Sequence, residues 1–315
     1  MNSVLTAVLQ MALIVALGFM LARRHLLENK ALDFLTAFTV NYTVPLMIFV
    51  YLVQSANVVV GRPVWIFVGL SLVIFALGWV LGYLITLRPG SFKKEIIGLV
   101  SLQNSGYLPM NLAVFMFWGR MRDEFLVYVI MYLLGFNILL WSLSGLLIYH
   151  DTARRFDWKQ LINPCLVATL LGLLVVYTKL SRYLGPVILG PFKMVGDTTF
   201  VLSMIVLGAW LAKVKLAGIS KALAPVLRVS AVKLVLMPLV VFLFLFGFKI
   251  FSFIGFFALM QSAMPSAATL PIVTDIHRAD SEFTSQGVFF THVLSVISVP
   301  FWLELYIRVS ARFMV

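Results

Sequence analysis

Two short stretches place hydrogen-bonding and helix-breaking residues inside otherwise apolar parts of the sequence. Residues 103–111 read Q-N-S-G-Y-L-P-M-N, and residues 261–275 read Q-S-A-M-P-S-A-A-T-L-P-I-V-T-D. A proline lacks a backbone donor and clashes with the preceding helical turn, so both segments are predicted to unwind at their centres. Backbone that unwinds within a membrane needs protein, water or a ligand to satisfy it. We therefore expect a binding site where the two breaks meet.

The candidate binding residues in these stretches combine polar side chains with positions where the backbone is free: Asn104, Ser105, Gly106, Pro109, Asn111, Pro265, Ser266 and Thr269. We call the place where the two breaks meet the crossing. Half-helices that begin near Pro109 and Pro265 would each direct a partial positive charge toward it. Gly106 would let backbone amides approach a ligand closely, because it has no side chain. Such a site favours a carboxylate.

Two ionisable residues inside apolar segments are further candidates for the binding or coupling chemistry. Lys233 would place a cation beside the crossing, where it could serve an anion or replace a bound sodium ion; the alternative is a lysine that snorkels to the inner interface. His292 could couple to protons, and the alternative is a neutral histidine that is hydrogen-bonded between helices. No metal site and no cofactor are expected.

The composition indicates an integral membrane protein. Of the 315 residues 62% are hydrophobic and 11% charged, whereas soluble domains carry about 25% charged residues. The net charge of +12 lies in short loops between apolar runs, so membrane topology explains it better than nucleic-acid binding, and no nucleic-acid partner is expected. The lone Cys165 excludes an internal disulfide. Residues 1–22 are interpreted as a retained first helix and not as a signal peptide.

The apolar runs predict an all-α fold of ten transmembrane helices in one membrane domain, residues 1–315. The predicted spans cover residues 3–22, 31–55, 64–87, 95–118, 124–149, 160–178, 194–212, 226–247, 251–274 and 283–308. With both termini outside, 14 Lys and Arg fall in internal loops and 9 in external ones, which agrees with the excess of basic residues on the inner side of membranes. The expected location is the plasma membrane, in a bacterium the inner membrane.

The spans divide evenly about the middle loop, residues 150–159. Five spans on each side predict two inverted repeats, residues 1–158 and 159–315. The two interrupted spans are the fourth and the ninth, which occupy corresponding positions in the halves. Matched interruptions of this kind are the best sequence indication of a binding site at the membrane midplane. The central parts of spans three, four, five, eight and nine contain no Asp or Glu, which argues against a cation as the bound substrate.

These motifs, in ten spans split five and five, resemble the auxin efflux carrier family, which includes plant auxin exporters and bacterial permeases of malonate or malate type. The sequence from Asn104 to Pro109 is similar to the family's motif in span four, although its proline comes two positions early and Asn111 stands at the family's proline position. The sequence M-P-S-A from Met264 is similar to the motif in span nine, with Thr269 where an Asn is common. Shorter similarities occur at residues 41–45, at Asn137 and at Lys233 before Pro238.

The resemblance implies a crossed-helix fold related to bile-acid sodium symporters. Spans 1, 2, 6 and 7 would form a scaffold, and spans 3–5 and 8–10 a moving transport domain. The implied function is alternating-access transport of a small organic anion, such as a carboxylate, dicarboxylate or auxin-like acid, across the lipid bilayer. The interpretation leaves open a homodimer through the scaffold helices.

Two other classes of function compete with transport. A membrane sensor or receptor could retain the transporter fold. Sensors usually carry an attached signalling domain, however, and the segments outside the predicted spans are only ten-odd residues long. An intramembrane enzyme is disfavoured, because the sequence has no H-E-x-x-H motif, no paired intramembrane aspartates and no evident Ser/His couple.

Overall fold

The computed structural model describes residues 3–87, 91–148, 163–216, 219 and 222–313, and in these ranges the chain is almost entirely helical. The first helices are α1 Val4–Arg23, α2 Asn29–Gln54, α3 Ile66–Ile85, α4 Lys93–Ser101, α5 Tyr107–Met116 and α6 Gly119–Ile138. They are followed by α7 Pro164–Tyr177, α8 Pro186–Ala212, α9 Leu223–Gly247, α10 Phe253–Ala263, α11 Leu270–Ile276 and α12 Ser281–Phe313. Within the described ranges, seven helices are long and apolar enough to cross a membrane: α1, α2, α3, α6, α8, α9 and α12.

Some sequence-based expectations concern residues outside these ranges. The middle loop 150–159 and the boundary between the predicted halves at residue 158 lie outside the described residues. The same holds for five of the basic residues counted on the internal side: Arg88, Arg154, Arg155, Lys159 and Lys221.

Both stretches that were expected to unwind are non-helical at their centres. Residues 102–106 separate α4 from α5, and residues 264–269 separate α10 from α11. The expected start of a half-helix near Pro265 is wrong, because α11 begins at Leu270. Met264 precedes Pro265 and is extended (φ −65°, ψ 143°), as the residue before a proline usually is. Pro271 instead takes the first turn of α11, where its missing N–H has no intrahelical partner to lose.

Two other prolines are accommodated without ending their helices. A π-helical turn interrupts α2 at Thr39–Thr43 and α9 at Val232–Leu236. Pro45 and Pro238 lie in the first helical turn that follows. Because proline cannot donate to the preceding turn, a local widening of the helix absorbs the missing hydrogen bond. Each helix therefore continues across its proline.

Helix α8 begins earlier than the apolar pattern predicts. The pattern places the start of the seventh span at residue 194, whereas α8 starts at Pro186 and includes both Lys193 and Asp197. The Lys193 ammonium lies 2.6 Å from an Asp197 carboxylate oxygen and 3.0 Å from the hydroxyl of Tyr51 on α2. Opposite charges one turn apart stabilise a helix, so these charges lie inside the helix and do not mark its end.

The most extensive helix contacts fall within two sets of helices. Helix α1 packs along α8, and α2 packs against α7 and α8. Helix α3 packs against α4 and α6, while α12 packs against α9, α10 and α11. The second set is held together where residues 102–106 meet residues 264–269.

The α1–α8 contact is an approach of backbone to backbone at two glycines. A Cβ atom on Gly208 would lie 1.9 Å from the carbonyl oxygen of Val15, and one on Gly18 would lie 2.2 Å from that of Ile205. Small residues allow such contacts between membrane helices, where van der Waals packing replaces the hydrophobic effect as the main attraction. The absence of a side chain at these positions is therefore what permits the α1–α8 seam.

We expect Gly208→Ala to destabilise the protein by about 1–3 kcal/mol, because the added methyl group must push α1 away from α8. Gly190→Ala in the same helix is a matched control, since a Cβ there meets nothing within 4 Å. Melting temperatures of the purified variants in detergent would measure the difference. Equal melting temperatures would contradict the close approach.

Candidate functional site

The two interruptions lie against each other and complete each other's backbone hydrogen bonds. They form an antiparallel bridge. The Asn104 N–H donates to the Pro265 carbonyl at 2.8 Å, and the Ala267 N–H donates to the Leu102 carbonyl at 2.9 Å. An unpaired backbone group costs several kcal/mol in hydrocarbon. This pairing is therefore what allows both helices to break at one place.

The carbonyl end of α4 is satisfied by side chains from the second half of the chain. The Leu99 carbonyl accepts a hydrogen bond from the Ser266 hydroxyl at 2.7 Å. The Val100 carbonyl accepts one from the Lys233 ammonium at 2.8 Å. The last carbonyls of a helix lack intrahelical donors and carry a partial negative charge, so a hydroxyl and a cation at this end are both stabilising.

Lys233 is buried completely, with 0% of its surface exposed. It lies in the π-helical turn of α9, and its Nζ is also 3.5 Å from the Met237 sulfur. The side chain therefore does not snorkel to the membrane interface, which was the alternative that the sequence left open. In the described part of the chain no carboxylate forms an ion pair with it. The partial negative charge at the end of α4 is thus the counter-charge in contact with Lys233.

A cavity of about 490 Å³ lies beside the bridge. Its polar lining consists of Gln103, Asn104, Ser105, Gly106, Tyr107, Asn137, Trp141, Asn163 and Thr269. Helix α2 and the start of α7 contribute to its wall, together with residues of α5 and α6. No charged side chain and no histidine occurs among its described lining residues. Its polarity therefore comes from amides, hydroxyls and backbone groups.

Half of the predicted binding residues line this cavity, namely Asn104, Ser105, Gly106 and Thr269. The structure places Pro265 and Ser266 in the bridge, where they pair with Asn104 and with the end of α4. These two residues hold the crossing together and do not form the cavity wall.

The remaining two predicted residues lie on α5 and away from the cavity lining. Pro109 is in the first turn of that helix. The Asn111 amide nitrogen donates to the Tyr107 carbonyl at 2.8 Å and to the Ser203 hydroxyl of α8 at 3.0 Å. Asn111 therefore connects the crossing to α8.

The start of α5 presents unpaired backbone donors at the cavity. Gly106 is the N-cap of this ten-residue helix. The N–H groups of Ser105, Gly106 and Tyr107 have no hydrogen-bond acceptor among the described residues, and all three residues line the cavity. The amino end of a helix also carries a partial positive charge. A carboxylate oxygen would satisfy these donors and the charge together.

His292 reaches the crossing from α12. Its Nδ1 lies 2.8 Å from the Val288 carbonyl, and its Nε2 lies 3.1 Å from the amide nitrogen of Asn104. The ring is buried and borders a second, mainly apolar cavity of about 570 Å³ between α1 and α12. Asn104 is therefore placed between two cavities, since it lines the first and bonds to a residue that lines the second.

Other lining residues were not among the candidate binding residues from the sequence: Gln103, Tyr107, Asn137, Trp141 and Asn163. Asn163 carries a local signal, because an Asn before a proline is typical of a helix start. Its side-chain oxygen accepts the Leu166 N–H at 2.9 Å and so caps α7. Local sequence rules do not indicate, however, that the start of α7 packs beside the crossing. That position depends on tertiary packing.

Comparisons with known proteins find transport proteins along nearly the whole chain. The model of a family described as membrane transport protein matches residues 3–155 and 148–303. An uncharacterized transporter of Methanothermobacter thermautotrophicus is 26% identical over 305 residues, which is 94% of this chain and 96% of that protein. Both interrupted segments fall within the family match.

We expect Ser266→Ala to destabilise the ligand-free protein by about 1–3 kcal/mol, because it removes the donor to the buried Leu99 carbonyl. Thr269→Ala is the control, since Thr269 lines the cavity and its side chain makes no capping hydrogen bond. Its effect should stay within about 0.5 kcal/mol. Thermal unfolding in detergent would compare them, and a larger loss in Thr269→Ala would contradict the assigned roles.

Proposed function

The chain belongs to the membrane transport protein family, which is the auxin efflux carrier family that its motifs resemble. On this basis we propose that it is a secondary transporter of a small organic anion. The observation that carries this proposal is the cavity at the bridge, where unpaired N–H groups at the start of α5 meet a wall without acidic side chains. A carboxylate, a dicarboxylate or an auxin-like acid suits these donors.

Lys233 adds a buried positive charge at the carbonyl end of α4. Its ammonium group neutralises the partial negative charge at the carbonyl end of α4. An anion in the cavity therefore interacts mainly with the partial positive charge at the amino end of α5. In this proposal the ammonium group occupies the role that a bound sodium ion would have. The long-range field of a buried cation is weakly screened in the membrane interior, which strengthens the attraction for an anion.

We propose that the chain crosses the plasma membrane ten times, as two inverted repeats over residues 1–158 and 159–315. The seven long helices, together with α7 and one crossing for each interrupted pair, make up this number. The two stretches matched by the family model, residues 3–155 and 148–303, meet near the proposed boundary. Both termini would face outward, as the loop charges indicate.

Transport would follow from movement between the two sets of helices. In this proposal α1, α2, α7 and α8 are the scaffold, and α3–α6 with α9–α12 form the transport domain. The cavity lies between them, because its wall includes Val44 of α2 and Pro164 of α7 as well as the crossing. Trp141, Asn163 and Ile276 also line it and adjoin loops assigned to the inner side. We interpret this arrangement as the inward-open state of an alternating-access cycle.

Purified protein in proteoliposomes is expected to show counterflow of labelled small carboxylates. Asn104→Ala and Thr269→Ala should each weaken ligand binding by about 5- to 10-fold, because one hydrogen bond contributes about 1 kcal/mol. Thr198→Ala, at an exposed position on α8, is the control for Thr269→Ala. Unchanged affinity in both cavity variants would contradict this site.

The same preparation separates transport from sensing. Counterflow with malate, succinate or indole acetate supports the transporter, whereas binding without counterflow would support a membrane sensor that retains the fold. Absence of both with all three acids would contradict the proposed function.

Lys233→Gln should lower anion transport on the order of tenfold, because the buried cation is lost. Lys249→Gln, at an exposed position after α9, removes one surface charge and is the control. Initial uptake rates between pH 5 and 8 would measure the effect. A rate equal to that of the unmodified protein would show that the buried ammonium does not act on the anion.

A further inference from the structure

The hydrogen bonds of His292 determine which end of the Asn104 amide faces the cavity. The Val288 carbonyl, 2.8 Å from Nδ1, can only accept, so Nδ1 carries a proton. In a neutral ring Nε2 is then an acceptor. Its partner at 3.1 Å is Asn104, which must therefore offer its NH₂ group and not its carbonyl oxygen.

The burial of the ring makes the reverse arrangement unfavourable. An imidazolium would donate from both nitrogens and would turn the Asn104 oxygen toward itself. His292 is only 6% exposed, and no carboxylate among the described residues forms an ion pair with it. Lys233 contacts the negative end of α4, but His292 lies in the middle of α12 with no described helix end against its ring. A buried charge without such a partner is strongly disfavoured. The neutral ring, with Nε2 as acceptor, is therefore the stable form.

The Asn104 oxygen is thus the free end of this side chain. Asn104 is 5% exposed and lines the first cavity but not the second. Its Oδ1 accepts no hydrogen bond from the described residues. This oxygen is nevertheless not completely buried, so a ligand can reach it. An acceptor that is buried, unpaired and open to the cavity calls for a donor on the ligand.

Several of the other polar groups around the cavity are donors, whereas the side-chain oxygen of Gln103, also an unpaired acceptor, is sealed from solvent. Asn163 uses its side-chain oxygen to cap α7 at Leu166, which leaves its NH₂ group for the cavity. The N–H groups at the start of α5 are donors as well. These groups suit the carboxylate of the ligand, whereas Asn104 Oδ1 suits a different part of it.

We propose that the substrate carries a hydrogen-bond donor, such as a hydroxyl or N–H group, in addition to its carboxylate. Asn104 Oδ1 accepts from this donor, and His292 is the positioning residue that keeps the amide in the required orientation. This inference rests on the proposed function, since it narrows the class of organic anion that the same cavity takes.

Matched acids that differ by one hydroxyl group test the inference on the unmodified protein. We expect malate to bind about tenfold more tightly than succinate, and lactate about tenfold more tightly than propionate, because only the hydroxy acids satisfy Asn104 Oδ1. Competition against a labelled carboxylate in proteoliposomes would give the affinities. Equal affinities within both pairs would overturn the inference and leave anion transport standing. Failure of all four acids to bind would count against both.

Two variants then test the role of His292. In His292→Leu the amide is free to turn, so the ratio of hydroxy acid to plain acid should fall toward one while both acids still bind. His292→Gln retains an oxygen that can accept from the Asn104 NH₂ group and should restore the preference. A ratio that is unchanged in His292→Leu would overturn the positioning role. If both variants lose the preference for hydroxy acids, a hydrogen-bond acceptor at position 292 does not determine that preference.

Discussion

Backbone groups in hydrocarbon must find partners within the protein, and this constraint determines the centre of the molecule. Two helices break at one place because each unwound segment supplies hydrogen bonds to the other, between Asn104 and Pro265 and between Leu102 and Ala267. The end of α4 then has to be covered from elsewhere in the fold. Gly78 contributes here, because it lets α3 lie against the backbone of Ser101, where a Cβ would come within 2.7 Å.

The electrostatics of the crossing follow from the same geometry. The last carbonyls of α4 and the first N–H groups of α5 lie only a few residues apart in the chain, yet they have different neighbours. A buried ammonium covers the carbonyls, whereas a cavity borders the N–H groups. The two ends of the broken helix would otherwise oppose each other. With one end covered, a ligand in the cavity meets mainly the positive one.

The sequence predicted those features that depend on local rules. Proline, glycine and small polar residues located both interruptions, because their effects on a helix act within one turn. The start of α8 was misplaced, since Lys193 lies inside the helix, where it contacts Asp197 and Tyr51. Most unpredicted features require contacts between distant parts of the chain. Asn104 and His292 are 188 positions apart, and each residue alone indicates nothing about the orientation of the other.

The placement of Asn163 in the cavity wall has the same origin. Its capping role could be read from the Asn-Pro pair, but its position beside the crossing depends on how α7 packs against α2. Half of the predicted binding residues line the cavity for a related reason. Helical and extended backbone alternate at the crossing, so the residues that line the cavity depend on how these segments pack in three dimensions.

The donors at the start of α5 belong to the main chain, and this has an evolutionary consequence. No amino-acid substitution removes them as long as residues 105–107 keep their backbone conformation and none becomes a proline. Selection can then alter the size and shape of the surrounding side chains, Tyr107 and Trp141 among them, while the affinity for negative charge is inherited unchanged. A lineage built on this crossing could acquire new substrates by changing the walls of the cavity alone.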